Sequence, residues 1–446
     1  MATSSASEGC GGLDAASAAL GLRGYRRQPP PGLLARTQDR TPFASFTATS
    51  WAAPLLAGVA PGQGGAHTVR WSVRTSRPFS VPVAIPPSAQ RVLSAVWRGR
   101  RPYGAALEEV TTALARSGLK DKDLRYVVTA SPEDIGRPMA ALRQLGVPPD
   151  DFAVNGTLAG APRRMRPALG PLLAIEFPVG PPCSAGCTPG CRCGRYLLLA
   201  YLHFRTDGDP GRKRAQTPHL FEAVVLESAV LCAVHGIRDP YALPGFAPLT
   251  EYLRTLMPPH EREGLRAQRV RLLADRVFTS ALLLGVGASP GPRGPAHVMR
   301  RLLRQAACEL ELTGSPPAEL GRLVHHADRL VRVPLGFQPL AAADLQTVHR
   351  EAAAFQRVLA DGYPRLALAL RRDGTPEERA RTLLWLRSVH GVPVSMAMSW
   401  CRDRELDVSL THFAAAELAD RERAAPASMS GTAGPPAPEE AGPRLL

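Results

Sequence analysis

Lysine, asparagine and isoleucine are almost missing from this 446-residue chain. Lys120, Lys122 and Lys213 are its only lysines, Asn155 its only asparagine, and Ile85, Ile135, Ile175 and Ile237 its only isoleucines. Residues with A/T-rich codons are depleted while Ala, Gly, Pro and Arg abound, the mark that a GC-rich genome leaves on a whole protein. The depletion bears on charge. All but three of the 54 basic residues are arginine, so the net charge of +15 is partly codon bias as well as an attraction for nucleic acid or acidic protein surfaces.

Long apolar runs are missing too. Val277 to Val286 and Leu197 to Phe204 are the nearest candidates, and both fall short of the roughly 18 residues a membrane helix needs, so no membrane span is expected. Met1 to Ala19 has no basic stretch followed by an apolar one, against a secretory signal, and Ala2 stands where myristoylation requires glycine. Eight cysteines without secretory features point to a reducing, intracellular setting, and to free thiols or metal ligation rather than disulfides. Signatures of catalysis are also absent. Gly285-Val286-Gly287 follows a helical stretch instead of a strand and lacks a third glycine, and there is no phosphate-binding Gly-x4-Gly-Lys loop and no Gly-x-Ser-x-Gly elbow. No catalytic residue is assigned, and a non-enzymatic protein is expected.

The 45% of hydrophobic residues is enough to bury real cores, and the length suits two domains plus tails. The expected fold is α+β. Residues 1–45, with Pro29-Pro30-Pro31, read as a disordered tail; residues 46–240 as a mixed α/β domain; residues 245–423 as an all-α helical domain; and residues 424–446 as a second disordered tail. Strands are expected at His67 to Thr75, Phe79 to Ile85, Leu172 to Val179 and Tyr196 to Phe204. Ser131-Pro132 and Thr217-Pro218 read as helix starts, the second opening a helix through Leu220, Phe221, Val224, Val225, Val230, Leu231 and Val234 that stops at Gly236. In the second half, Glu261 to Leu284, His297 to Leu312, Glu319 to Val333, Leu340 to Leu359, Pro376 to Val389 and Asp407 to Arg423 carry helical spacing, with Thr375-Pro376-Glu377-Glu378 as a capped start.

The most distinctive stretch is the loop that holds Cys183, Cys187, Cys191 and Cys193 between two of these strands. Its glycines and proline permit tight turns, and clustered thiolates suit zinc, which takes four N or S ligands. Cys232 and His235 form a second ligand-like pair downstream, so two or three loop cysteines with these two would close a tetrahedral site. Zinc is the one cofactor expected. The alternative for the loop is a set of free thiols, and for Cys232 an ordinary place in an apolar helix.

Three basic clusters suit phosphate: Arg98, Arg100 and Arg101 beside Trp97 and Tyr103; Arg163, Arg164 and Arg166; and Arg212, Lys213 and Arg214. They also read as nuclear import signals or as solvated loops.

Taken together, the Arg/Ala/Pro/Gly bias, the proline-rich tails and the helical body with a mid-chain cysteine cluster resemble proteins of large GC-rich DNA viruses, herpesviruses above all. That resemblance implies a virion tegument-like adaptor of host nucleus and cytoplasm that binds viral or host proteins. The second reading is a zinc-stabilised regulator that binds nucleic acid.

Overall fold

In the computed structural model the described residues are 11–34, 64–74, 87–99, 101–132, 134–156, 170–191, 193–206, 219–258, 262–370 and 374–424. Strands β1 (Tyr25–Arg27), β2 (Gly65–Val73), β3 (Ala89–Arg98), β4 (Arg125–Ala130), β5 (Phe152–Gly156), β6 (Leu172–Pro178), β7 (Tyr196–Thr206) and β8 (His219–Leu226) form one sheet in the order β1-β2-β3-β8-β7-β6-β4-β5. The two edge pairs, β1 with β2 and β4 with β5, are parallel, and every pair between them is antiparallel.

The pleat gives the sheet two different faces. One carries Leu93 and Ala95 with Phe221, Ala223, Val225, Leu202, Leu173 and Ile175. They pack under helices α1 (Gly11–Leu22), α2 (Tyr103–Arg116), α3 (Gly136–Gln144) and α4 (Glu227–His235), with Leu13, Leu107, Leu114, Leu142 and Val230 as the opposing side chains. The other face is polar in its middle and is described with the site below.

The second half is helical: α5 (Ala247–Thr255), α6 (Glu263–Gly285), α7 (Gly294–Leu312), α8 (Leu320–Ala327), α9 (Ala342–Ala369), α10 (Pro376–His390), α11 (Val394–Arg402) and α12 (Leu410–Ala424). Phe278 and Leu282 of α6, Leu303 of α7, Leu323 of α8 and Phe355 of α9 share one core with Ala66, Val73, Ala89, Val96 and Leu220 of the sheet. A smaller core joins the end of α9 to α10, α11 and α12 through Leu366, Leu383, Ala397 and Phe413. No helix among the described residues is long and apolar enough to cross a membrane.

The mixed α/β first half and helical second half agree with the expected class, and β6, β7 and most of the expected helices fall where periodicity places them. Thr375 caps α10 as read: its hydroxyl accepts the Glu378 backbone N–H at 3.2 Å, and the Glu378 carboxylate returns to the Thr375 N–H at 2.9 Å. Several elements differ. Residues 11–34, expected within a tail, hold α1 and β1, with Leu13 and Ala16 fully buried. The single helix expected from Thr217 is the strand β8 followed by α4, which stops at Gly236 in the left-handed region (φ 66°) as anticipated. Leu220, Phe221, Val224 and Val225 satisfy helical spacing, but cross-strand pairing with β3 and β7 wins. Strands β1, β3, β4 and β5 and helices α1, α2, α5 and α11 were not anticipated. Phe79 to Ile85 and the residues after Ala424 lie outside the described residues.

Candidate functional site

Antiparallel register places paired residues on the same side of a sheet. Thr68 pairs Ser94 and Ser72 pairs Gln90 between β2 and β3; Val96 pairs Glu222 between β3 and β8; Glu222 pairs His203 and Val224 pairs Tyr201 between β8 and β7. With Arg70 between Thr68 and Ser72, one face therefore carries Thr68, Arg70, Ser72, Gln90, Ser94, Tyr201, His203 and Glu222. Burial is nearly complete: Arg70 is 2% exposed, and Glu222 and Ser94 are 0% exposed. A sheet centre normally fills such a face with aliphatic side chains, because burying polar groups is costly.

The groups on this face interact across strands. Arg70 Nε donates to Ser94 Oγ at 3.2 Å, and Ser228 at the start of α4 donates its hydroxyl to Gln90 Oε1 at 2.5 Å. Burial lowers the Arg70 guanidinium pKa to about 10, opposed by the nearby Tyr201 and Glu222. Burial also drops His203 to about 4, aided by Arg205, so this imidazole is neutral at pH 7. Tyr201 is pushed well above its ordinary range by burial and by Glu222, so its phenol keeps its proton. Thr68 Oγ1, Gln90 Nε2 and the Tyr201 hydroxyl are buried without a hydrogen-bond partner among the described residues. Buried polar atoms of that kind call for a partner supplied from outside. The arrangement gathers a guanidinium, a carboxylate, a phenol and an amide on one buried face. Sequence reading missed this face. Its trace was the alternation Thr68-Val69-Arg70-Trp71-Ser72-Val73, which reads as an ordinary half-solvated strand until its partner strands are known.

The second candidate centre is the β6–β7 connection. Backbone turns from Cys187 N–H to Ser184 O and from Cys191 N–H to Thr188 O, both 3.1 Å, fold it back on itself, and Gly190 and Gly194 adopt φ of 82° and 81°. Glu176 of β6 anchors it by accepting the Gly190 N–H at 2.8 Å. The sulfurs of Cys183, Cys187, Cys191 and Cys193 all lie within 4.8 Å of one another. Cys183 to Cys191 is 3.7 Å and Cys187 to Cys193 is 3.8 Å. Four thiolates about 2.3 Å from a tetrahedral metal would sit about 3.8 Å apart, so the cluster has the dimensions of a four-sulfur site. The thiols share protons: a backbone hydrogen bond at Cys183 and the Arg195 side chain lower Cys187 to about 6, while the hydrogen bonds of the other three thiols push Cys183 up to about 12.

The loop alone brings four sulfurs together. Cys232 and His235, expected to close the site, are not in the group. Cys232 is 0% exposed within the core under the sheet, where burial pushes its thiol up to about 12, and His235 is exposed at the end of α4. Of the basic clusters, Arg101 is engaged internally: it lies 4.0 Å over the Trp97 ring and pairs with Glu109, which also accepts the Tyr25 hydroxyl at 2.9 Å. Arg98 ends β3, half-buried opposite Leu220. Arg100, Arg163, Arg164, Arg166, Arg212, Lys213 and Arg214 lie outside the described residues.

Comparison with known proteins supplies the family context. Residues 226–434 match the model of class II (A) tRNA synthetases. The chain is similar to the alanine–tRNA ligase of Mycolicibacterium vanbaalenii, 27% identical over 205 residues that cover 44% of this chain and 22% of that protein. It is likewise similar to the Mycobacterium tuberculosis enzyme, 30% identical over 230 residues covering 48% and 24%, and to that of Treponema pallidum, 25% identical over 257 residues covering 55% and 42%. The chain thus spans less than half the length of these relatives. Among solved structures, a histidyl-tRNA synthetase of S. aureus aligns with a TM-score of 0.34 at 11% identity, over 49% of this chain and 63% of that one. These matches overturn the expectation of a non-enzymatic, herpesvirus tegument-like adaptor and that of a nucleic-acid-binding regulator: the codon bias behind the viral resemblance is shared by any GC-rich genome, and the region of similarity is that of bacterial ligases.

Proposed function

We propose that this chain is a ligase of the aminoacyl-tRNA synthetase kind, related to alanine–tRNA ligases, and that the polar sheet face is where it holds an amino acid and a nucleotide. The observation that carries the reading is the family match over residues 226–434, supported by the alignments to alanine–tRNA ligases.

The chemistry of the face fits such a task. Joining an amino-acid carboxylate to an RNA hydroxyl in water requires an activated carboxylate, which a nucleoside triphosphate supplies as a mixed anhydride. Arg70 suits a phosphate or carboxylate oxygen, Glu222 an amino-acid ammonium, and the protonated Tyr201 donates a hydrogen bond. Burial makes each of these contacts stronger than it would be in water. An RNA partner accords with the net charge of +15.

In the same reading the four loop thiolates hold a zinc ion, since an all-sulfur tetrahedral set without an open position is a structural rather than a catalytic site. The ion would pin a loop that contains little apolar surface of its own.

The test is transfer. The full chain is incubated with ATP, unfractionated tRNA and labelled alanine, and label is sought in acid-precipitable RNA. Label that alkali releases as free alanine supports the reading. Absence of label with alanine and with every other proteinogenic amino acid, from folded protein, overturns it.

A further inference from the structure

Away from the sheet, the helical half contains a cavity of about 480 Å³. It lies between the end of α7 (Glu311 and Leu312), the last turns of α9 (Tyr363) and α11 with the turn after it (Met396, Ser399, Trp400, Asp403 and Arg404). Its size falls in the roughly 300–1,000 Å³ range of small-molecule sites.

The lining runs against the character of the chain. In a protein of net charge +15, this cavity has two carboxylates and one guanidinium. Neither Glu311 nor Asp403 makes an ion pair among the described residues, although Glu309, two residues before Glu311, is held by Arg269 at 3.3 Å. The walls are aromatic, Trp400 and Tyr363, with the buried thioether of Met396 between helices. The face of Trp400 already takes a cation: the Arg404 guanidinium stands 3.9 Å from the ring centroid. Its neighbour Glu405 has φ 56°, the one non-glycine residue in the left-handed region among those described. That costly conformation holds the turn that carries Asp403 and Arg404, and such strain gathers at ligand sites. Burial and the fields of Glu311, Cys308 and Asp403 push the Tyr363 phenol up to about 12, so it remains a neutral wall and donor.

Aromatic faces, two uncompensated carboxylates and a thioether around a concave space are the chemistry that recognises an organic cation. We propose that this cavity binds a small alkylammonium or quaternary ammonium ion, with Trp400 and Tyr363 as aromatic walls, Glu311 and Asp403 as counter-charges, and Arg404 as the resident cation that the ligand displaces. The site stands apart from the polar sheet face and does not rest on the ligase reading.

The experiment titrates the full chain calorimetrically with choline and, separately, with putrescine at low salt. Saturable binding of one ion per chain is expected, with choline favoured if the aromatic walls dominate and putrescine if the carboxylates do. Glu311→Gln combined with Asp403→Asn, and separately Trp400→Leu, should each weaken binding at least about tenfold without lowering the melting temperature. Arg404→Ala, at an exposed position, should tighten it by removing the internal competitor. Absence of saturable binding of both ions to the folded wild type overturns the proposal, as does an unchanged affinity in the double variant. Should the core-facing variants unfold, unchanged or weaker binding in Arg404→Ala overturns it on its own.

Discussion

Asp275 on α6 grips Ser88 just ahead of β3 with both carboxylate oxygens: Oδ1 accepts the Ser88 backbone N–H and Oδ2 its hydroxyl, each at 2.6 Å. The Tyr241 hydroxyl donates to Oδ1 at 2.7 Å and Arg276 Nη1 to Oδ2 at 2.6 Å, so one buried carboxylate ties the helical half to the sheet. Asp275 is 1% exposed and Arg276 3%. Asp275→Ala leaves a buried arginine without its counter-charge and is expected to cost about 3–5 kcal/mol, against about 1 kcal/mol for Ser88→Ala. Urea unfolding of the two variants compares them directly; equal small losses would deny Asp275 this role.

The shared core leads to a related expectation. Because Phe278, Leu303 and Phe355 pack with Ala66, Val96 and Leu220, the two halves should unfold together in one calorimetric transition. A fragment of residues 245–424 should self-associate through the apolar surface the sheet normally covers. Two separate transitions in the full chain, or a monomeric and stable fragment, would show instead that the halves are independent units.

Acid should weaken the fold through His203. Its pKa falls from 6.5 to about 4 in the folded chain, so the unfolded chain binds the proton more readily. Stability is therefore complete above pH 6.5 and lost as pH drops from there toward 4. His203→Gln, which cannot take up a proton, should flatten that part of the stability curve. A profile between pH 4 and 6.5 identical to the wild type would mean the histidine is not held neutral by burial.

Metal content tests the cysteine loop. Purified chain should carry about one zinc, and Cys191→Ser with Cys193→Ser should remove it and lower the melting temperature. Metal-free protein whose four loop thiols all react rapidly would leave a plain thiol cluster.

The loop was legible in the sequence because its ligands are local: four cysteines within eleven positions, spaced by glycine and proline, can only fold back on themselves. Cys232 and His235 were read into it by proximity in sequence, yet the helix that carries them turns Cys232 into the core. The polar sheet face was not legible, since Arg70, Ser94, Tyr201 and Glu222 come from four strands spread over 153 residues and meet only through register. Strand β8 was hidden by an accident of spacing, and β3 by mixing polar and apolar residues on both sides, Gln90 and Ser94 on one and Arg91 on the other, which removes the alternation that marks a strand. The viral resemblance rested on composition, which reports the genome and not the fold.

Amino-acid-dependent consumption of ATP by the full chain in the presence of tRNA tests the central claim most directly, read as the release of pyrophosphate with alanine supplied first. The account expects stimulation by alanine, and a loss of at least about tenfold in Glu222→Gln, a near-isosteric change that removes the carboxylate proposed to hold the ammonium group. Protein that is folded and zinc-loaded, yet consumes ATP no faster with any amino acid than without, would contradict it.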